Sequence, residues 1–502
     1  MAGAQPGGGL SLRRRLGLFA GPAGLLLFLA VPAPAGLEPG AWHIAGVGAL
    51  MAVWWLTEAV PIPATSLLPL LLFPLLGGGS IGEAAAPYAN PVIFLFLGGF
   101  LIALAMQRWK LHRRVALHIL RWAGSRPAGL VAGFMVASAF LSLWVSNTAT
   151  TMMMAPIGLS VIGLLERDGG APRRLEEEEP GAAVAARERR NFGTALMLGI
   201  AYAASLGGIG TLIGTPPNAF LAGFLLETHG VDVGFARWML IGLPVVLAGL
   251  PLAYVVLTRV AFPVGRRQLP GGRELIEAEL EELGAWHRGE RAVAVVFCVT
   301  ALLWICRPLL QGWLPGLSDA GIAVAGGLSL FLLPVDWSRG EFVLNWEWAE
   351  KLPWDLLLLF GGGLSLAAAV ERTELNRWLG GAVAGLGEPS PVLFILTVVT
   401  AIVLITELTS NTATAAAFLP VVAAVAIRVG WDPLLLTVPA ALAASCAFML
   451  PVATAPNAIV YGTHHVSIPQ MARAGLLLNL VMIPVVTAVS YFLVPIVLAG
   501  LS

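Results

Sequence analysis

Charged residues divide the chain into apolar tracts of two kinds: those sized for one bilayer crossing, and those too long for one. A helix needs roughly 20 apolar residues to cross the hydrocarbon core. Single-crossing tracts lie near 16–37, 41–57, 61–76, 91–107, 238–258, 292–306, 320–335, 356–370 and 474–502. The long tracts are 127–165, 192–226, 389–427 and 433–472, with Glu407 the one acid in the third. The first and third each run for 39 residues. A helix of that length would measure about 58 Å, twice the hydrocarbon thickness. Each long tract must therefore fold back or break.

Polar motifs mark where. Ser146-Asn147-Thr148-Ala149-Thr150 sits at the centre of the first 39-residue tract, and Ser410-Asn411-Thr412-Ala413-Thr414 repeats it in the other. Thr215-Pro216-Pro217-Asn218 lies inside 192–226, and Thr454-Ala455-Pro456-Asn457 inside 433–472. Upstream, Gly98-Gly99 precedes Ser146 by 48 residues and Gly361-Gly362 precedes Ser410 by 49. The order diglycine, SNTAT, T-x-P-N thus occurs twice. The spacing between the asparagines is 71 in one copy and 46 in the other, the difference matching the hydrophilic insert 166–191. This is an internal duplication.

Charge gives its sense. The segment 107–126 carries Arg108, Lys110, Arg113, Arg114, Arg121 and Arg126, whereas its counterpart 371–390 carries only Arg372 and Arg377. Cytoplasmic loops collect Lys and Arg, so equivalent segments lie on opposite sides and the repeats are inverted. Threading the SNTAT tracts as re-entrant hairpins leaves only Arg237, Arg307, Arg372, Arg377 and Arg428 on the external side. The expected architecture is an all-α polytopic membrane protein with about eleven transmembrane helices and two re-entrant hairpins. The N-terminus is cytoplasmic and the C-terminus external. The expected segments are 1–126, with the first scaffold helices and a basic interfacial helix, and 127–235, the first hairpin and broken helix. Segment 236–388 holds the linking helix, a cytoplasmic stretch and the second scaffold helices, and 389–502 the second hairpin, second broken helix and last helix.

Composition narrows the class. Hydrophobic residues make up 58% of the 502 and charged residues 12%, with mean hydropathy +0.84, against about 25% charged in soluble domains. Twenty-nine basic residues balance 29 acidic ones, which points away from nucleic acid. Cys298, Cys306 and Cys446 all lie in apolar stretches and supply neither a disulfide framework nor a metal cage. Phosphate-loop, HExxH and GxSxG motifs are absent, as are paired catalytic groups in the crossing segments, so the chain does not read as an enzyme. The 58 glycines and 35 prolines suit membrane helices. Arg13–Arg15 ahead of an apolar run ending in Ala33-Pro34-Ala35 also fits a secretory signal, but the run is long and further spans follow. The compartment expected is a cell membrane, of bacterial inner type.

Broken helices persist in a bilayer only where protein, water or ligand satisfies the freed N–H and C=O groups. In secondary transporters such breaks near mid-membrane form the binding site, with helix N-termini facing anions and unwound carbonyls facing sodium. One SNT sequence alone reads as a helix cap; two, each central in an apolar tract, read as a paired site. No Lys or Arg lies in these motifs, so an anionic substrate needs co-bound cations to offset its charge. Glu407 fits either cation attraction or structural hydrogen bonding. His464-His465 reads as interfacial, the mixed-charge run 167–190 with its acidic stretch 176–179 as a solvated cytoplasmic loop, and 273–291 as a short surface helix. Trp54-Trp55 and Trp346/Trp348 read as interface anchors.

The twin SNTAT motifs resemble the divalent anion/sodium symporter family of dicarboxylate transporters, essentially from residue 16 to the C-terminus. So do Ile213-Gly214-Thr215-Pro216-Pro217-Asn218, Val452-Ala453-Thr454-Ala455-Pro456-Asn457 and Trp54-Trp55-Leu56-Thr57-Glu58-Ala59-Val60-Pro61. The resemblance implies a homodimer whose transport part slides as an elevator against a scaffold. It implies sodium-driven import of C4 dicarboxylates such as succinate, malate or fumarate, with co-transported Na⁺ and no cofactor. Ser146, Asn147, Thr148, Ser410, Asn411 and Thr412 resemble the family's substrate carboxylate ligands, with Thr215, Pro216 and Thr454 beside them. Ser142, Ser146, Asn147 and Gly214 look like its first sodium site, and Thr406, Thr409, Asn411 and Ala453 its second, several acting through backbone carbonyls. Ala455 replaces a proline common in the second motif, and Val145 stands where Thr409 does in the other copy. A sodium-independent dicarboxylate exchanger, or a sulfate or citrate carrier, is the alternative.

Overall fold

Prolines, caps and polar motifs decide where each helix of this chain begins and stops. A computed structural model describes residues 11–124, 126–168, 180–265, 272–376, 378 and 390–499. The acidic run 176–179, Arg377 and the segment boundary at 388/389 lie outside the described residues.

Helix α1 (Leu12–Ala30) packs along α2 (Pro39–Thr57) and ends before Pro32 and Pro34, earlier than its apolar tract. The third tract is split into α3 (Ile62–Thr65) and α4 (Leu68–Leu76). A capping box of Ser80 and Glu83 starts α5 (Ile81–Ala85), and Asn90 caps α6 (Pro91–Arg108) through Val92 N. Then follow the surface helix α7 (Leu111–Arg121), the hairpin α8 (Pro127–Ser142) and α9 (Asn147–Asp168), and the broken pair α10 (Pro180–Gly208) and α11 (Pro216–His229). Helix α12 (Phe235–Val255) runs on as a π turn, and α13 (Gly272–Leu283) lies against α7.

The second copy opens with α14 (Arg288–Leu310) and α15 (Asp319–Leu332). A two-stranded ribbon, β1 (Pro334–Asp336) with β2 (Glu341–Phe342), pairs Pro334 with Phe342 and leads into α16 (Trp346–Ala349). After α17 (Trp354–Arg372) come the hairpin α18 (Pro391–Thr406) and α19 (Asn411–Arg428). The broken pair α20 (Leu434–Ala444) and α21 (Ala455–Tyr461) and the final α22 (Ile468–Val497) complete it. All four long tracts break at their polar motif. The first arms of the two hairpins, α8 and α18, have 16 residues each, or about 24 Å, too short to cross and return.

Among the described residues, seven helices are long and apolar enough to cross a bilayer, six of them expected crossings and the seventh, α19, an arm of the second hairpin. The other expected crossings are α1, which carries Arg13–Arg15, the short α3–α4 and α15, and the two broken pairs. Exposed apolar surface is plain on α14, where Val295, Val299, Leu302 and Leu309 point outward.

Two arginines fix the relative direction of the copies. Arg108, ending α6, donates from Nη1 to Phe342 O and Val343 O at 3.2 Å, just ahead of α17. Arg372, ending α17, donates from Nη2 to Gly78 O at 2.6 Å, just ahead of α6. Equivalent helices α6 and α17 therefore run in opposite directions.

The glycines show why the register of the repeat needs one correction. A Cβ on Gly98 would lie 2.3 Å from Ala323 O on α15, and one on Gly362 would lie 2.2 Å from Ser66 O between α3 and α4. These are equivalent contacts, so Gly98 pairs with Gly362, not Gly361. The next glycines, Gly99 and Gly363, face Ile213 and Phe220 on either side of the first break. A run of three glycines, Gly361–Gly363, hides that one-residue shift from the sequence.

Candidate functional site

In both T-x-P-N motifs the residue before the helix is extended: Thr215 has φ −143° and ψ 142°, Thr454 φ −141° and ψ 151°. Pro216 and Pro217 open α11, where a missing N–H costs nothing. Ala455 in place of the first proline keeps the same geometry, with Pro456 at the second position and Thr454 Oγ1 accepting from Asn457 N at 3.3 Å.

The motif asparagines then close the breaks. Asn218 Nδ2 donates to Gly208 O and Ile209 O at 3.1 Å and to Thr211 O at 2.8 Å. Asn457 Nδ2 donates to Ala447 O at 3.3 Å and Leu450 O at 3.0 Å, ten and seven residues upstream, the offsets of Gly208 and Thr211 from Asn218. Both asparagines are fully buried. Trp238 Nε1 adds a bond to Ile209 O at 2.9 Å. Freed carbonyls of an unwound turn must find donors inside the protein, and these amides supply them. The sequence marked Asn218 and Asn457 as part of each break, but not as its braces.

Beside each break stands an SNT asparagine. Ser142 Oγ donates to Asn147 Oδ1 at 2.5 Å. With the amide turned over, the orientation that satisfies both of its ends, Asn147 Nδ2 donates to Ser142 Oγ at 2.5 Å, Ala204 O at 3.1 Å and Gly214 O at 3.3 Å. A Cβ on Gly214 would lie 2.4 Å from Gly208 O and 2.9 Å from Ser142 O. Only glycine admits that approach. Ser142, Asn147 and Gly214 thus lie together, with the oxygens of Ser142, Ala204 and Gly214 forming a nest around the Asn147 amide. Ser146 caps α9, its Oγ accepting from Ala149 N at 3.3 Å.

The second copy repeats the plan with differences. Thr406 Oγ1 lies 2.8 Å from Asn411 Oδ1 and 2.9 Å from Ala444 O. Thr409 turns its hydroxyl to Ile405 O at 2.9 Å and Thr414 Oγ1 at 2.7 Å. Ser410 makes no side-chain cap. Ala453 is buried in the turn before Thr454. Glu407 is a structural acceptor: Oε1 takes bonds from Phe448 N at 2.7 Å and Asn479 Nδ2 at 2.6 Å, and Oε2 from Met449 N at 2.9 Å.

The copies interlock. Helix α9 packs on α10 and on α21 of the other copy, while α19 packs on α20 and on α11 of the other copy. The SNT residues Asn147, Thr148, Asn411 and Thr412 sit at the N-termini of α9 and α19, and Thr215, Pro216 and Thr454 at the starts of α11 and α21. Helix N-termini carry partial positive charge and free N–H groups.

Residues read singly from the sequence have partners. The basic helix α7 pairs with the acidic α13 through Arg113 and Glu279, and with the start of α14 through Arg114, whose Nε bonds Glu290 Oε1 at 2.5 Å with both side chains buried. His112 Nδ1 donates to Met106 O at 2.8 Å, and burial holds its imidazole below the ordinary histidine range. His465 offers its carbonyl to Thr194 Oγ1 at 3.0 Å. Trp346 is exposed, but Trp55 is wholly buried and bonds Ser66 Oγ at 3.2 Å, so it is an interior brace and no interface anchor.

Residues 13–498 match the family model described as the sodium:sulfate symporter transmembrane region. The chain is 42% identical over 490 residues to the sodium-dependent dicarboxylate transporter SdcS of Staphylococcus saprophyticus, covering 96% of this chain and 92% of that one. It is also 42% identical over 487 residues to SdcS of Staphylococcus aureus strain USA300, with the same coverage. Among solved structures, the Alcanivorax borkumensis YdaH transporter superimposes with TM-score 0.56 at 16% identity, over 93% of this chain and 98% of that one. Neisseria gonorrhoeae MtrF gives 0.56 at 13% identity, over 95% of each. At such identities these two support the fold alone.

Proposed function

The chain belongs to the sodium:sulfate symporter family, the divalent anion/sodium symporters, and from that membership we propose that it is a sodium-coupled importer of C4 dicarboxylates such as succinate, malate and fumarate. It is a multi-pass membrane transporter and not an enzyme. The observation that carries the proposal is the paired asparagine. Asn147 and Asn411 each begin a helix inside an apolar tract, and each is held by a hydroxyl five residues upstream, Ser142 or Thr406.

On this reading the two carboxylates of the substrate meet the helix ends at Ser146-Asn147-Thr148 and Ser410-Asn411-Thr412, with Thr215, Pro216 and Thr454 alongside. One sodium ion lies among Ser142, Ser146, Asn147 and Gly214, and another among Thr406, Thr409, Asn411 and Ala453. Two facts support it. Helix N-termini stabilise anions, and the 42%-identical relatives are named sodium-dependent dicarboxylate transporters. Charge balance asks for the cations, since a dianion at this depth with no Lys or Arg in the motifs would be costly. The hairpins and broken pairs form a transport part that moves as an elevator against the remaining helices of a homodimer. The Arg- and Lys-rich end, holding Arg108, Arg113 and Arg114, faces the cytoplasm, with the N-terminus there and the C-terminus outside.

The test is labelled succinate uptake into proteoliposomes, comparing an inward Na⁺ gradient with K⁺ replacement, with and without internal succinate. Uptake that needs Na⁺ and no internal substrate is expected. Uptake indifferent to Na⁺ and dependent on internal dicarboxylate makes the protein an exchanger. Inhibition by sulfate or citrate, with no succinate uptake, moves the substrate class.

A further inference from the structure

Each copy contributes a hairpin tip and an unwound turn, and the two copies are covered unequally. The motif serines align Leu143, Trp144 and Val145 with Glu407, Leu408 and Thr409, and the motif threonines align Ile213 with Val452. Leu408 is 60% exposed and Val452 75%, whereas Ile213 is 7% exposed. Leu408 and Val452 both lie outside helices, at the second tip and the second break. Irregular backbone at membrane depth persists only inside protein or beside a water-filled cavity, so these bare side chains mark a water-filled opening. On the orientation proposed above, the α18–α19 hairpin enters from outside and its tip points to the cytoplasm.

The first tip, by contrast, is shut by aromatic rings. Trp144 stacks on Phe235, the first residue of α12, with ring centroids 6.1 Å apart, and meets Phe297 of α14 edge-on at 5.0 Å. Phe235 in turn stacks on Trp304 of α14 at 4.6 Å. A charged clasp ties the same elements. Arg307 of α14 reaches Asp232, in the linker between α11 and α12, at 2.5 Å, and Asp319, the first residue of α15, at 2.6 Å. Asp319 Oδ2 also accepts from Phe235 N at 2.7 Å. Phe235 and Trp304 line a cavity of about 220 Å³ together with Asp232, Arg237, Arg307 and Asp319. Arg237 and Arg307 are among the few basic residues expected on the external side. Closure has a cost: Trp144 Nε1 and Asp319 Oδ1 are buried with no hydrogen-bond partner among the described residues, a penalty that opening removes.

We propose that these rings and the Arg307 clasp are the external lock of the transport cycle. They hold the first hairpin tip and the α11–α12 linker against α14 and α15 while the second tip lies open to the cytoplasm, and they part each time the site turns outward. Trp144 on Phe297 joins the hairpin to a helix outside the transport part, so sliding must break that contact. The inference rests on the transport reading and the orientation proposed above. Contacts made in only one of two states set the balance between those states. When only a fraction of molecules can bind external substrate, apparent affinity is weakened by that fraction. Loosening the lock therefore tightens apparent affinity for external succinate, the opposite of what damage to the site would do.

The experiment measures sodium-driven succinate uptake by the full-length protein in right-side-out proteoliposomes. Phe297→Leu removes the edge-on ring contact and is expected to lower the half-saturating external succinate by about two- to tenfold. Asp232→Asn weakens a half-exposed ion pair and is expected to lower it by about two- to fivefold. A folded variant of either kind whose half-saturation is unchanged or raised overturns the inference. If Phe297→Leu does not fold, Asp232→Asn decides, its carboxylate being 54% exposed. A second measurement holds the lock shut. Asp232→Cys with Arg307→Cys, in a background of Cys298→Ser and Cys306→Ser, is treated with a bifunctional maleimide whose linker reduction cleaves. Cross-linking is expected to abolish uptake and reduction to restore it. Cross-linked protein that transports at the untreated rate overturns the inference, as does a pair that does not cross-link. A parent protein without sodium-driven succinate uptake removes the transport reading itself; a parent that has it, with variants that do not shift, removes this inference alone.

Discussion

Replacing Asn218 by leucine tests whether one side chain holds the first break open. The variant keeps nearly the volume and removes the amide that serves Gly208 O, Ile209 O and Thr211 O. Ile209 O retains Trp238 Nε1 at 2.9 Å, so two carbonyls lose the donor described for them. Hydrogen bonds between membrane segments contribute about 0.6–1.7 kcal/mol each, and a buried acceptor left unsatisfied costs about 1–3 kcal/mol. The expected loss is therefore about 2–4 kcal/mol. Asn457→Leu strips Ala447 O and Leu450 O of longer bonds, at 3.3 and 3.0 Å, and should cost less, about 1–3 kcal/mol. The assay is thermal unfolding of each purified variant in detergent, followed by succinate uptake at graded Na⁺. Asn218→Leu should lower Tm by several degrees and raise the sodium requirement, because Gly208 O and Gly214 O share the nest around Asn147. A Tm equal to the parent's with an unchanged sodium curve would refute the brace.

Asn147→Ala and Asn411→Ala should each abolish succinate uptake while leaving the monodisperse elution profile intact; near-normal transport by either variant would remove it from the site. Arg114→Leu alone should cost about 3–5 kcal/mol by stranding the buried Glu290, and Arg114→Leu with Glu290→Leu should recover much of that, a comparison read by Tm in a double-mutant cycle. Gly98→Ala and Gly362→Ala should each lower Tm, at about 1–3 kcal/mol or more, because their Cβ atoms meet backbone on α15 and at Ser66, whereas Gly24→Ala meets nothing and should be neutral. His112, whose imidazole is held low by burial, contributes stability in its neutral form. That stability is complete above about pH 6.5 and is lost as pH falls through the lowered value, so a His112→Gln variant should show a flatter acid limb in Tm against pH.

Much of the architecture was legible because the bilayer restricts the options. Uncharged runs twice the length of a span had to break, and the polar pentapeptides showed where; α8–α9 and α18–α19 break there. The hydroxyl–asparagine pairs were legible too, since Ser142 and Thr406 lie within one helical turn of each motif. Contacts between distant segments were not. Nothing in the local sequence says that Glu407 reaches Phe448 and Asn479, that Asn218 turns its amide back on Gly208, or that Arg114 finds Glu290 across 176 residues. Trp55 was misread because a tryptophan near a helix end is as compatible with a buried bond to Ser66 as with a lipid interface. The register of Gly361–Gly363 was ambiguous because identical residues carry no phase; only the backbone of Ser66 opposite Gly362 settles it.

The crosswise packing of α9 on α21 and of α19 on α11 has a consequence for heredity. Neither half of the duplication contains all the neighbours its own hairpin rests on, so a half-length polypeptide would leave one side of its hairpin bare. An ancestor encoding one copy could have covered that surface only by entwining with a sister chain inserted the other way up. Fusion of the two genes would then have fixed the opposed orientations within one chain, freeing the halves to diverge. Glu407 on one side and Leu143 on the other are what such a divergence leaves behind.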